Sequence, residues 1–382
     1  MSAALGLIYR QQLDRRQWVA KMTTQLIQTK EQLAQKELTE CYDVKKELGE
    51  GTYGKVYQVI CKRTKQKLAL KQLKKSKVAF KDFKRELNYS YFLSAHPNIV
   101  TTYAVAFQTT ESWILKQEHG GDGDMHDAIK PGVGIGIEPT KKVLQQLING
   151  LSFMHSKNLC HRDIKPENLV IFDKARWLVK LMDFGLTCKV DAVVRRSSGN
   201  NPYTPPEICD VVCNESFTSS KSTDVWQTGV TIYCLLTGTF PWDEACTKID
   251  KAYNAFHNWC SHKTPNTPMR WQRFSDKLLK LFRKIFNPSR EDRCSINALK
   301  KYVDVEWSAN HKTLASLSDA SSRVTVDSTD NKEAKEALQI KLTEHGIPTK
   351  VTKSYRKARV TEWIQSINVN CTGQIRQSPA TL

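Results

Sequence analysis

The periodicity of this chain changes once, near Gly120, and that change narrows its possible folds more than any single residue does. Ahead of it, residues 42–48, 55–62, 66–73, 100–107 and 112–116 alternate apolar and polar side chains as strands do. A glycine cluster at 49–54 divides the first two of these runs. One helical stretch, 81–94, interrupts them and stops at Ala95-His96-Pro97, where a proline ends the helical pattern. Beyond Gly120 the text turns helical, over 140–156, 223–237, 249–260 and 276–286. Strands first and helices second describe an α+β chain of two lobes. The β-rich N-lobe is expected over 42–117 and the mostly helical C-lobe over 121–307.

At 382 residues the chain has room for one such unit, 42–307, between two extensions. Residues 1–41 have no proline and set Leu13, Trp18, Met22, Leu26, Leu33 and Leu38 roughly on one face, so they read as a helical extension packed on the next domain. After Trp307 the composition shifts to Ser, Thr, Asp and Ala, and 308–382 reads as a basic, largely disordered tail with short helices at 333–342 and 354–367. The formal net charge is +19, and 42–307 alone holds 41 Lys/Arg against 28 Asp/Glu. About two-thirds of the surplus therefore sits on the folded body, where it would steer acidic partners or anionic membrane. No RNA-recognition sheet motif, zinc finger or helix-turn-helix accompanies it, so no specific nucleic-acid partner is expected. The eleven cysteines are scattered without zinc spacing and read as reduced thiols of a cytoplasmic protein, the nucleus also being open. No secretory signal is expected in residues 1–10, and no stretch reaches transmembrane length without charges.

Three groups of residues carry chemistry. In Gly49-Glu50-Gly51-Thr52-Tyr53-Gly54-Lys55-Val56, glycines let a strand–turn–strand approach phosphates with backbone N–H groups. A glycine turn alone would read the same way, although a strand follows here rather than the helix of a dinucleotide site. Lys71, ending Ala69-Leu70-Lys71 on a buried strand, needs a partner for its charge, and Glu86 in Phe83-Lys84-Arg85-Glu86 is the natural one. Alone, either residue would more often be a solvated surface charge. The third group is Cys160-His161-Arg162-Asp163-Ile164-Lys165-Pro166-Glu167-Asn168-Leu169, followed by Met182-Asp183-Phe184-Gly185.

In this order the three groups resemble the signatures of protein kinases. The resemblance implies a bilobal protein-kinase fold and a cleft using ATP and Mg²⁺. Asp163 then orients the acceptor hydroxyl and takes its proton, and Lys165 adds a cation at the γ-phosphate. Asn168 and Asp183 are hard oxygen ligands for the metal. Lys71 holds the α- and β-phosphates, aimed by Glu86, while Gly49, Gly51, Gly54, Val56 and Ala69 complete the nucleotide site. Gln117-Glu118-His119-Gly120 looks like the hinge, with Glu118 and Gly120 offering backbone hydrogen bonds to the base and Asp124 near the ribose. Lys165, two residues after Asp163, implies serine/threonine acceptors. Asn200 stands where that class usually carries a threonine that contacts the catalytic aspartate and lysine. Glu207 of Pro205-Pro206-Glu207 is expected to pair with Arg293, and Asp224 heads a helix that anchors the catalytic loop. Arg162 could pair with a phosphate on the loop between Asp183 and Glu207, which makes Ser197 and Ser198 regulatory candidates.

Within the superfamily, Phe83–Glu86, the hinge, Pro202-Tyr203-Thr204 and Thr237-Gly238-Thr239-Phe240-Pro241-Trp242 are similar to the SH3-binding-domain kinases. The proline-rich tail that names that family is missing, since the tail holds only Pro348 and Pro379, and SH3 binding is not expected. Protein substrates are implied. Glu167 favours a basic residue on the peptide, whereas Cys234 and the positive body leave acidic or mixed substrates open. The competing class is a pseudokinase scaffold, and retention of Lys71, Glu86, Asp163, Asn168 and Asp183 weighs against it.

Overall fold

The computed structural model describes residues 29–196 and 199–308. A six-stranded sheet forms the N-lobe. Its strands are β1 (Ala34–Gln35), β2 (Tyr42–Gly51), β3 (Gly54–Cys61), β4 (Lys67–Lys74), β5 (Phe107–Gln108) and β6 (Ser112–Glu118), in the order β1-β5-β6-β4-β3-β2. Helix α1 (Leu38–Cys41) precedes β2, and α2 (Phe80–Leu93) crosses one face of the sheet. α2 turns Phe83, Leu87, Ser90 and Leu93 inward at helical spacing, and Phe83 and Leu87 pack with Leu73, Trp113 and Leu115.

The end of the expected N-terminal helix is replaced by something else. Residues 30–41 form a 3-10 turn, strand β1 and the single turn α1. Leu33 drops into the cluster under α2, where it is 3% exposed, and β1 pairs in parallel with β5. One apolar side chain locked in a pocket outweighs the weak helix preference of a short polar segment. The expected strand over 100–107 also shortens, to β5 plus a single bridge between Thr102 and Gln117. Residues 1–28 and 309–382, including the helices anticipated in the tail, lie outside the described residues.

The C-lobe contains α3 (Met125–Ala128), α4 (Ile137–Ser156), β7 (Leu159–Cys160), β8 (Leu169–Asp173), β9 (Leu178–Leu181), β10 (Cys188–Lys189), β11 (Val193–Arg195), α5 (Pro206–Cys209), β12 (Ser216–Thr218), α6 (Lys221–Thr237), α7 (Lys251–Cys260) and α8 (Asp276–Ile285). Three two-stranded ladders, β8–β9, β7–β10 and β11–β12, carry the loops that hold the site. α6 is buried around nearly its whole circumference, as a helix at the centre of a large core must be. Ser220 caps its start, and Gly238 ends it at φ 66, where an added Cβ would fall 2.1 Å from the Lys130 carbonyl oxygen. Around α6 one continuous core includes Trp226, Trp242, Trp271, Phe282 and Phe286. The N-lobe has two smaller clusters instead.

Candidate active site

Sheet register sets the roof of the site. Val56 on β3 lies opposite Lys71 on β4, and Ala69 lies opposite Gln117 on β6. Opposed residues share a face and alternate residues return to it, so Val56, Ala69, Lys71 and Gln117 all occupy one side of the sheet. The glycines divide in purpose. A Cβ on Gly54 would fall 1.8 Å from the Gln72 carbonyl oxygen, so that position serves the packing of β3 on β4. A Cβ on Gly49 or Gly51 would meet nothing within 4 Å, and the backbone there is open to a phosphate.

Under that roof, the Lys71 Nζ stands 2.7 Å from Glu86 Oε1 and 2.8 Å from Asp183 Oδ1. Burial alone would depress the ammonium, but the carboxylates of Asp183 and Glu86 outweigh it and raise its pKa. Burial likewise opposes the charge on Asp183, yet the Lys71 ammonium overcomes it and brings the carboxyl down to about 2. Glu86 shares the same ammonium, but burial dominates there and pushes its carboxyl up. Asp183 is therefore the firmly charged partner. Its backbone takes φ 64, uncommon for a residue with a side chain, and the Gly185 N–H donates to its Oδ1 at 3.3 Å. Arg85, next to Glu86, donates to the Gly185 carbonyl at 3.3 Å and ties α2 to the same turn.

A second cluster surrounds Asp163. Lys165 Nζ lies 2.9 Å from Asp163 Oδ2, and Asn168 Nδ2 donates to the same oxygen at 2.8 Å and to the Asp163 carbonyl at 2.7 Å. Among the described residues no donor reaches Asp163 Oδ1, so one carboxylate oxygen is available to a hydroxyl. The same geometry suits a cation. Anchoring the Asn168 amide through its nitrogen leaves Oδ1 free, and Asp183 Oδ2 likewise has no donor among the described residues. Both are hard oxygen donors of the kind Mg²⁺ prefers.

The catalytic loop is held from below. Buried Asp224, in the first turn of α6, accepts from the N–H groups of His161 at 2.9 Å and Arg162 at 2.7 Å, and meets His155 Nε2 at 2.8 Å. Burial works against that charge, but His155 and the amide donors hold the carboxyl below its ordinary range. Three residues along the same helix, Gln227 accepts from the Ile164 N–H at 3.0 Å and donates to the Arg162 carbonyl at 3.0 Å. These bonds over-determine Arg162, whose φ is 72. The expected pair Glu207–Arg293 forms with two bonds of 2.9 Å each.

Among the other expected residues the outcomes are mixed. Glu118 donates its backbone N–H to the Thr101 carbonyl at 2.9 Å, which leaves the base its carbonyl only. Its side chain pairs with Lys180 at 2.7 Å, a contact with no signal in the sequence. The backbone of Gly120 takes no partner among the described residues, and a Cβ there would fall 2.2 Å from Val170 Cγ1. Gln117 turns its amide to Thr102 Oγ1 at 3.0 Å, so its polarity is absorbed inside the N-lobe. Asn200 does not bond to Asp163 or Lys165. Its oxygen accepts from Arg196, and its nitrogen donates to Glu244 at 2.7 Å, so both ends of the amide are taken by charged groups away from the catalytic loop. Buried Arg196 also donates to the carbonyls of Cys209, at 3.2 Å, and Val211. Ser197 and Ser198 lie outside the described residues.

Comparison with known proteins agrees with this arrangement. A family model described as the protein kinase domain matches residues 42–305. The serine/threonine-protein kinase SBK1 of Danio rerio is 42% identical over 288 residues, covering 74% of this chain and 74% of that protein. SBK1 of Mus musculus is 42% identical over 261 residues, or 68% of this chain and 62% of the mouse protein. The Drosophila melanogaster serine/threonine-protein kinase meng-po is 32% identical over 342 residues, covering 86% of this chain and 75% of that protein.

Proposed function

The chain belongs to the protein kinases, within the SH3-binding-domain kinase family, and on that premise we propose that it transfers the γ-phosphoryl group of ATP to serine and threonine hydroxyls of proteins. One observation carries the reading. A single ammonium, Lys71, binds both Glu86, 15 positions from it along the chain, and Asp183, 112 positions from it, at hydrogen-bond distance and on the glycine side of the sheet.

Each residue then has a task that follows from its surroundings. Lys71 neutralises the α- and β-phosphates, and Glu86 keeps its ammonium from turning elsewhere. Asp163, fixed through Oδ2, uses Oδ1 to orient the acceptor hydroxyl and to take its proton late in the transfer. Lys165, already beside Asp163, meets the negative charge that passes between donor and acceptor oxygens. Mg²⁺, which Asn168 Oδ1 and the Asp183 carboxylate would hold, supplies charge neutralisation at the phosphate oxygens. The carbonyl of Glu118 and the backbone of Gly120 bind the adenine edge, with Val56 and Ala69 as its apolar cover. The catalytic unit is residues 42–307, acting in the cytoplasm or nucleus.

Lys165 supports serine/threonine over tyrosine, and the 41 Lys/Arg against 28 Asp/Glu of residues 42–307 favour acidic acceptors. Purified chain given Mg²⁺ and labelled ATP should label itself or a generic acceptor, and Asp163→Asn should reduce that transfer by about 10²–10⁴-fold. Equal labelling by both proteins, or none by either, would overturn the proposal. On a peptide array, enrichment of Arg or Lys around the acceptor would reject the acidic preference alone.

A further inference from the structure

We infer that Cys160 and Cys188 are a reversible disulfide site, oxidised by hydroperoxides, that staples the catalytic loop to the metal-binding loop. Of the ten cysteines among the described residues, these two approach each other with sulfurs 3.7 Å apart. They are directly opposed across the antiparallel ladder of β7 and β10. Cys160 immediately precedes His161-Arg162-Asp163, and Cys188 follows Asp183-Phe184-Gly185 by three residues. A bond between them would close a short loop around most of the residues assigned to transfer.

The two sulfurs are not equivalent, which gives the reaction a direction. Cys160 is wholly buried, while Cys188 is only partly buried. A guanidinium nitrogen of Arg162 stands 4.0 Å from the Cys188 sulfur, and Arg162 is itself held by the Leu186 carbonyl at 3.0 Å. The hydrogen bond from Cys160, with help from Ser219 and Arg162, lowers the Cys188 thiol to about 6, and the same bond with burial raises Cys160. Cys188 is thus the thiolate and Cys160 the resolving thiol.

The chemistry balances with a hydroperoxide as oxidant. The Cys188 thiolate attacks a peroxide oxygen, an S–O bond forms, the O–O bond breaks, and the departing alkoxide or hydroxide takes a proton from water. Cys188 is oxidised by two electrons to the sulfenic acid. The Cys160 sulfur then attacks it, the S–S bond forms and the S–O bond breaks, and the thiol proton leaves with hydroxide as water. A dithiol reverses the change. Bonding draws the sulfurs from 3.7 Å to about 2 Å, which pulls β10 and the Arg162 contact toward β7. The disulfide stands apart from the phosphotransfer reading, and only its effect on rate rests on it.

Peptide mapping of the full chain tests the site without any activity. After hydrogen peroxide and trypsin under non-reducing conditions, fragment 158–162 should appear linked to 181–189, two hydrogens lighter than the sum of the two. The link should vanish with dithiothreitol and in Cys188→Ser. In Cys160→Ser the sulfenic acid on Cys188 should persist and be captured by dimedone. Unlinked fragments with both thiols intact, after other cysteines have oxidised, would overturn the site, as would dimedone capture on Cys160 in Cys188→Ser. For the effect on rate, peroxide should slow wild-type transfer several-fold, reversibly, and leave Cys188→Ser at its untreated rate. A linked wild type with unchanged transfer would refute the regulatory consequence and leave the disulfide standing.

Discussion

Two ion-paired clusters, Lys71–Glu86–Asp183 and Glu207–Arg293, use similar groups to opposite ends. Arg293 is completely buried and spends its donors on Glu207, the Ser222 carbonyl and the Asn287 carbonyl, with its guanidinium over the Trp226 ring. Its one carboxylate faces one cation, and nothing is left over. Lys71 instead serves two carboxylates from a side chain that is 16% exposed, with Asp183 at 37%. The surplus of acid over base there is stable only if something cationic or strongly solvated meets it. A pair matched one to one reads as architecture, and an over-acidic cluster at a cleft reads as a site.

The comparison breaks most easily at the architectural end. Arg293→Leu removes both bonds to the partly exposed Glu207 and leaves the Ser222 and Asn287 carbonyls without their donor, which should cost about 1–3 kcal/mol of stability in a denaturant titration. A loss below about 1 kcal/mol would mean that the pair is not structural in this sense. At the cleft, Mg²⁺–ATP at ~100 times its Kd should stabilise wild type by roughly 2.7 kcal/mol, readable as a thermal shift, and Lys71→Met should remove that shift. If Lys71→Met retains it, the ammonium is not at the phosphates.

Smaller effects sharpen the contrast further. Asn200→Ala removes the bonds to Arg196 and Glu244 and should lower stability by about 1 kcal/mol. A fall in transfer rate beyond that expected from unfolding would instead place Asn200 among the reacting groups. Asp224 gives a pH signature. Its folded carboxyl lies below the unfolded value of 3.8, so its stabilisation is complete above that pH and is lost as acid takes it through the lower folded value. Stability measured against pH should therefore decline more steeply below 3.8 in wild type than in Asp224→Asn, and equal slopes would show that the carboxyl is not held down.

Much of the site was legible because its chemistry sits in short contiguous motifs. Asp163, Lys165 and Asn168 span six positions, and a loop that short must bring them together. Lys71 with Glu86 was also recoverable, since a charge on a buried element demands an opposite one, and Glu207 with Arg293 followed from the kinase resemblance. What escaped were contacts made by residues ordinary in sequence. Gln227 braces the loop through its amide, Lys180 holds Glu118, and Leu33 carries the segment before β2 into the sheet. Asn200 was readable as a departure from a familiar threonine, but its partners were not, because Arg196 and Glu244 reach it from different elements.

The amino-acid text by itself determined that strands precede helices, that a lysine, two aspartates and an asparagine of kinase type are present in order, and that the body is basic. Periodicity and local spacing are properties of neighbouring residues, and they survive without a fold. Only tertiary structure decided that one ammonium would serve both Glu86 and Asp183, that Asn200 would be drawn away from Asp163, and that Cys160 and Cys188 would face each other. Those outcomes depend on which distant groups compete for the same partner once water is excluded, and distance in space is settled by the packing of the whole chain.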